Sequence, residues 1–296
     1  MKTAAILLLA LAMAAVAALI LADDTENDLE GVWTASRDAE RLHLSIYREK
    51  QQWSQLGITL PLADFSGLSP AITDSSNIAR TEFQIIREAG TIAFTGQFSK
   101  GRGAGHYLFV PRPEFIAEMA KLGYRDIPKK KIFILAVHDI GPRYVRALGE
   151  LGYKNLSLEM LIKMGMFRVT PAFIRDLRSL GYNDLSSEQL VKLRIHNVTP
   201  EYIRQLRALG FSDLPMEQIA KLGIHGVTKT YVEEMRGLGF RNATASQLVK
   251  MKIHGITSGY IHELRTAGYD KLTPEEAVRL RNHGVNKAYI DELRNP

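Results

Sequence analysis

Over 296 residues the chain is 46% apolar and 24% charged, the make-up of folded globular material and not of a disordered polyampholyte. It has no cysteine, which excludes disulfides, thiol nucleophiles, sulfur-ligated metals and a lipid-modified cysteine anchor. The net charge of +6 is uneven: from residue 113 onward there are 28 Lys/Arg against 20 Asp/Glu, so the excess of positive charge lies in the second part of the chain.

Residues 1–22 read as an export leader. Lys2 precedes an unbroken apolar run from Ala4 to Ala22, and the acidic pair Asp23-Asp24 follows it. Ala15-Val16-Ala17 offers a small-x-small cleavage site, although it lies within the run. The run is also close to the length that spans a bilayer. The segment is therefore expected to be a cleaved signal or a retained N-terminal membrane anchor. Either places the rest of the chain in the periplasm or outside the cell. An exported chain without disulfides suits a bacterial envelope.

Residues 23–112 read as a small antiparallel β domain of five to seven strands. Gly31-Val32-Trp33 opens a strand, and Leu42, Leu44 and Ile46 alternate with His43, Ser45 and Tyr47. Ile58-Thr59-Leu60-Pro61 reads as an edge strand because proline cannot donate to a ladder. Thr81 to Phe98 reads as a hairpin turning near Gly90, and Gly101 to Gly105 as a further turn before His106. A strand, not a helix, follows those glycines, so a phosphate cradle is not expected. Trp33 and Trp53 are expected in the core, with a stacking platform for a sugar or peptide as the alternative. His43 and His106 have acids nearby in Glu40, Glu88 and Asp64, but nothing in the spacing builds an acid–base pair.

From residue 113 one aromatic recurs every 29 residues: Phe115, Tyr144, Phe173, Tyr202, Tyr231, Tyr260 and Tyr289. A fixed period of this length predicts an α-helical solenoid over 113–296, with five to six helix pairs that bury their apolar sides only by stacking. In the unit from Leu185, Ser186 and Gln189 form a capping box for the first helix, and Leu190, Leu193 and Ile195 give it an apolar side. Asn197, or Gly226, Gly255 and Gly284 in later units, ends that helix. Thr199-Pro200 starts the second helix, with Tyr202, Ile203, Leu206 and Leu209 inward, and Gly210 ends it. Asn282 and Ala277 depart from the pattern in the last unit, as a C-terminal cap would.

Three polar rows follow the same period. His138, His196, His225, His254 and His283 sit before the residue that ends the first helix. There they are expected to cap carbonyls, because units about 10 Å apart cannot share one metal ion with bonds of about 2 Å. Arg178, Arg207, Arg236, Arg265 and Arg294 form a row late in the second helix, and Lys163, Lys192, Lys221, Lys250 and Arg279 one in the first. Charge near helix ends explains both rows; a ligand-facing surface made of Arg178, Arg207, Arg236, Arg265, His196, His225 and His254 is the functional alternative. Glu188, Glu217, Glu234 and Glu275 dilute any polyanion footprint.

The unit Ile224-His225-Gly226-Val227-Thr228, continued by Tyr231-Val232, Met235-Arg236 and Leu238-Gly239-Phe240, resembles the short helical repeats after the membrane peptidase region of some bacterial regulators similar to the beta-lactam sensor–transducers. Gly31-Val32-Trp33, Arg87-Glu88-Ala89-Gly90 and the stretch from Gly105 to Pro111 resemble the strand-rich segment accompanying those repeats. The resemblance implies an extracytoplasmic sensing or binding part. No His-Glu-x-x-His occurs, so the peptidase half is not in this chain. A rival resemblance to DNA-binding helix–hairpin–helix units fails on glycines: Gly141 matches the second, but Asp139 occupies the first, and Thr228 and Thr257 replace the second later. The expectation is thus a non-enzymatic binding or scaffold protein without metal or cofactor, with a protein partner in the envelope. Binding of envelope glycan or peptidoglycan, nucleic-acid binding through degenerate hairpins, and a hydrolase site in the β domain are the alternatives.

Overall fold

The computed structural model describes residues 29–47 and 55–294; the leader, Trp53 and the side chain of Arg294 lie outside the described residues. The chain divides into two compact units, 1–143 and 144–296. The division falls beyond the expected boundary at residue 112, because the first helices after the strands pack with the sheet.

The first unit holds one antiparallel sheet: β1 (Glu30–Asp38), β2 (Arg41–Tyr47), β3 (Gln55–Pro61), β4 (Ala79–Arg87), β5 (Gly90–Ser99) and β6 (Arg102–Pro111), in spatial order β3-β2-β1-β6-β5-β4. Two three-stranded meanders are thus joined by the pairing of β1 with β6. Leu42, Leu44 and Ile46 are buried on one face and His43 is exposed on the other, as the alternation predicts. β3 ends at Pro61 and is an edge strand, also as expected.

The glycines before His106 belong to β6, not to a turn. Lys100 and Gly101 alone make the turn. The reason is Trp33, 1% exposed, whose indole N–H reaches the carbonyls of Thr95 and His106 at 3.2 and 3.0 Å. A Cβ on Gly96 would stand 2.8 Å from that ring, and one on Gly105 only 2.0 Å from the Thr95 carbonyl oxygen. Gly96 leaves space for the indole ring, and Gly105 lets its strand approach the Thr95 backbone. Phe83, Phe94 and Phe98 surround it, so Trp33 is core and not an exposed stacking platform.

A four-residue helix α1 (Pro70–Thr73) precedes β4. α2 (Pro113–Lys121) buries Phe115 and Met119, and α3 (Lys129–Val137) lays Phe133 on Tyr107 with ring centres 5.4 Å apart. The turn after α3 is fastened to the β4–β5 hairpin. Arg87 bridges Asp64 and Asp139 at 3.3 and 3.7 Å, and Glu88 accepts from the Arg143 N–H at 3.4 Å.

Helices then follow in pairs: α4 (Pro142–Glu150), α5 (Leu158–Met166) with α6 (Pro171–Ser179), α7 (Ser187–Ile195) with α8 (Pro200–Ala208), α9 (Met216–Ile224) with α10 (Lys229–Gly237), α11 (Ala245–Ile253) with α12 (Ser258–Thr266), and α13 (Pro274–Asn282) with α14 (Lys287–Arg294). From α5 on, odd numbers are the first helix of a unit and even numbers the second. Among the described residues, no helix is long and apolar enough to cross a membrane.

Nearly every helix is eight or nine residues long, too short to persist alone in water. Caps and stacking set its limits. The Ser186–Gln189 and Thr273–Glu276 capping boxes form, with a third at Thr244–Gln247. Thr170, Thr199, Thr228 and Thr257 each accept from the N–H three residues on. At the far end, Gly239 turns left-handed (φ 93°) and lets the Phe240 N–H return to the Met235 carbonyl.

Ile203 and Leu206 are buried in α8, and Leu190 and Leu193 in α7. Ile195 departs from expectation: it is 50% exposed. Five residues after Leu190 is about 140° around the helix, and Val191 takes the inward place instead.

Candidate interaction surface

Two rows of side chains hold one unit to the next: the repeat aromatics, expected in the core, and the arginines, for which a ligand-facing surface was the functional alternative. The repeat tyrosine reaches forward. Tyr144, Tyr202, Tyr231 and Tyr260 donate their hydroxyls to the carbonyls of Val169, Val227, Ile256 and Val285, each 25 residues on, at 2.7 to 2.9 Å. Burial pushes these phenols above their ordinary range, Tyr231 to about 12. Phe173 lacks the hydroxyl. There Arg194 covers the ring at 5.2 Å and donates to the Phe167 carbonyl. Tyr289, in the last described helix, is 47% exposed, since no described unit lies beyond it to cover its ring.

The arginine row reaches backward. Arg178 donates to the Leu151 carbonyl at 2.6 Å, and Arg207, Arg236 and Arg265 donate to Leu180, Leu209 and Leu238, each 27 residues earlier. Those carbonyls lie at second-helix ends, where a cation also meets the negative end of the helix dipole. Arg178, Arg207 and Arg236 lie over the rings of Tyr153, Tyr182 and Phe211. Half-buried and engaged in this way, the four arginines do not form the free ligand-facing ridge considered from sequence. Nothing in the unit's spacing alone distinguishes an arginine bound to a neighbour's carbonyl from one in solvent.

His196, His225 and His254 occupy the C-cap of α7, α9 and α11 and are half-buried. The expected ring-to-carbonyl cap is a backbone one instead: the histidine N–H donates to the carbonyls of Lys192, Lys221 and Lys250. Among the described residues no cluster of three His, Asp or Glu side chains is placed to hold a metal. His43 and His106, on the solvent face of the sheet, are exposed; His43 meets Thr59, not a carboxylate.

The stretch left facing water is on the first helices. Glu188, Lys192 and Ile195 stand at i, i+4 and i+7, within about 60° of one another around α7. The same order recurs as Glu159, Lys163 and Met166 on α5, and as Glu217, Lys221 and Ile224 on α9. On α11 it is Ser246, Lys250 and Ile253. The apolar member is 44% exposed at Met166 and 54% at Ile253. Consecutive first helices stack, so an acidic, a basic and an apolar row run side by side along the array. Neighbouring units are linked across this face. Gln247 donates to Glu275 at 2.9 Å, and this bond first, then the glutamate's own backbone N–H and Lys250, holds that carboxyl below its usual range. Hydrogen bonds from its own backbone, Ser186 and Ser187 lower Glu188 too, with Lys163 adding to them.

First helices pack more closely than second helices at every step except α7–α9. At that wider step a groove of about 170 Å³ opens. Leu193, Met216, Ala220 and Ile224 form its floor, with Lys192 and Lys221 at the rim beside Gln189 and Glu217. It is small for a cofactor or drug-sized ligand and sufficient for one large side chain.

Compared with protein-family models, curated proteins and solved structures, the chain matches none. The likeness to the sensor–transducer repeats rests on its motifs alone. The structure itself shows a small antiparallel sheet followed by a multi-helix repeat region.

Proposed function

We propose that this chain is a non-enzymatic extracytoplasmic binding or scaffold protein that holds a protein partner on the first-helix face of its repeat array. A β domain and helical repeats are the architecture of an interaction scaffold, since such arrays offer long periodic surfaces and no single enclosed centre. One observation carries the choice of face. The tyrosines and arginines that recur with the period are occupied in joining units, while Met166, Ile195 and Ile253 of the first-helix strip stay 44 to 54% exposed. An apolar row set among charges and exposed along several units is what a partner covers. The export reading is supported by Lys2, the apolar run 4–22 and the acidic pair Asp23-Asp24 after it.

The test is position-dependent cross-linking in cells. A photoreactive residue at Lys192 or Ile253 should give a discrete adduct with an envelope protein, and one at Arg204 on α8 should not. Equal adducts from both faces, or none from either, would reject the reading.

A further inference from the structure

The groove between α7 and α9 is more specific than the strip that contains it. Its floor is apolar and free of rings, which disfavours a sugar, because saccharides are held by stacking on aromatic faces. Its rim is basic, yet the acidic row runs beside it, and a phosphate backbone laid along the array would meet Glu188, Glu217 and Glu275 in turn. A polyanion therefore fits poorly.

The charge pattern has one local exception. Twenty-five residues beyond each basic member stands Glu188 for Lys163, Glu217 for Lys192 and Glu275 for Lys250, but Ser246 for Lys221; the charge of Lys163 acts on Glu188 and that of Lys250 on Glu275. Lys221 is exposed, and at the groove it is the rim lysine without a row carboxylate in the next unit. With Glu217 as the acid in its lining, Lys192 and Lys221 leave the rim of the groove net basic by one charge.

We infer that this groove anchors an acidic segment of the partner protein, which inserts one large apolar side chain over Leu193, Met216, Ala220 and Ile224 while its carboxylates meet Lys192 and Lys221. The inference rests on the scaffold reading and names the chemistry of its partner. An apolar anchor in a small desolvated pocket, ringed by complementary charge, is the arrangement that concentrates binding energy at an interface.

A random peptide library panned against the full chain at physiological salt tests it. Enriched peptides should share a large apolar residue with Asp or Glu close by. A fluorescein-labelled winner should bind at least tenfold more weakly to the Lys192→Glu/Lys221→Glu variant, and replacing its apolar residue with alanine should cost as much. Both lysines are exposed, and unchanged circular dichroism would show that the variant folds. Peptides without acidic residues, binding unaffected by the lysine reversal, or failure to enrich any peptide would overturn the groove.

Two further outcomes would also overturn it: a duplex DNA probe that binds and loses affinity in parallel, or a dimer that the reversal converts to monomer. The first makes the groove a polyanion site and the second gives it to another copy of the chain. If cross-linking at Lys192 and Ile253 still captures an envelope protein, only the groove has failed; if that too is lost, the scaffold reading fails with it.

Discussion

Tyr231 shows what a single side chain does in this array. Its ring is 4% exposed, and its hydroxyl crosses to the Ile256 carbonyl of the next unit at 2.9 Å. Burial first, and Glu234 second, raise the phenol from its ordinary value near 10 to about 12. The folded state therefore favours the protonated phenol, and the stability this contributes is complete below about pH 10 and lost as pH rises toward 12. Tyr231→Phe should cost about 1 kcal/mol at neutral pH, the net worth of one hydrogen bond. It should also flatten the alkaline decline. Guanidinium midpoints measured near pH 7 and near pH 11 check this. Equal losses in wild type and variant would mean that water reaches the hydroxyl. Phe173 is the natural counterpart: it keeps a cation over its ring, Arg194, as Tyr231 keeps Lys252 and Tyr260 keeps Arg281, but has no hydroxyl bond.

At the scale of the element, the start of α4 breaks the pattern for a visible reason. Later second helices begin with a threonine cap, but here Gly141 stands in that place. The acceptor comes from another element, since Glu88 on the β4–β5 hairpin receives the Arg143 N–H. A Cβ on Gly141 would lie 2.3 Å from the Glu88 carboxylate and 2.9 Å from its Cβ. Gly141→Thr should therefore destabilise by about 1–3 kcal/mol even though threonine is the rule elsewhere. Adding Glu88→Gly should recover much of that, because it removes both the carboxylate and the Cβ from the site and the threonine can then supply the cap itself. Urea midpoints for the two single changes and the pair, with hydrogen exchange at the Arg143 amide, give the coupling. Additive effects would refute the contact. This also bears on the helix–hairpin–helix likeness: Gly141 makes room for an internal carboxylate at the helix start.

Across the whole array, the linking contacts have fixed spans: 25 residues forward for tyrosine and 27 backward for arginine. An exact one-unit deletion keeps every span in register. With residues 187–215 removed, Arg236 falls opposite Leu180, and Tyr182, whose hydroxyl donates to the Leu214 carbonyl 32 residues on, falls opposite Ala243. Stability in such arrays is close to a sum of unit and neighbour terms, so this shortened chain should fold cooperatively with a lower Tm. Removing only 187–200 shifts the register and should abolish the cooperative helical transition of the array. Circular dichroism melts separate the two. Equal behaviour of both deletions would show that the links do not set the stability of the array.

The period, the caps and the alternation of β2 were legible in sequence because they are local: a threonine caps an amide three residues away, and a strand alternates with itself. The aromatic interval and the shift from two-fold to helical patterning fix the α+β class and the order of the parts. Tertiary structure decided where each polar row points. Ile195 fits an apolar stripe until the helix is given its rotation, and Arg207 looks like any charge on a helix until the Leu180 carbonyl arrives from the preceding unit. Gly105 likewise reads as part of a turn until the Thr95 carbonyl of the neighbouring strand arrives where its Cβ would stand. Arg207 and Leu180 are 27 residues apart, and distance along a chain does not encode which groups will meet once units stack.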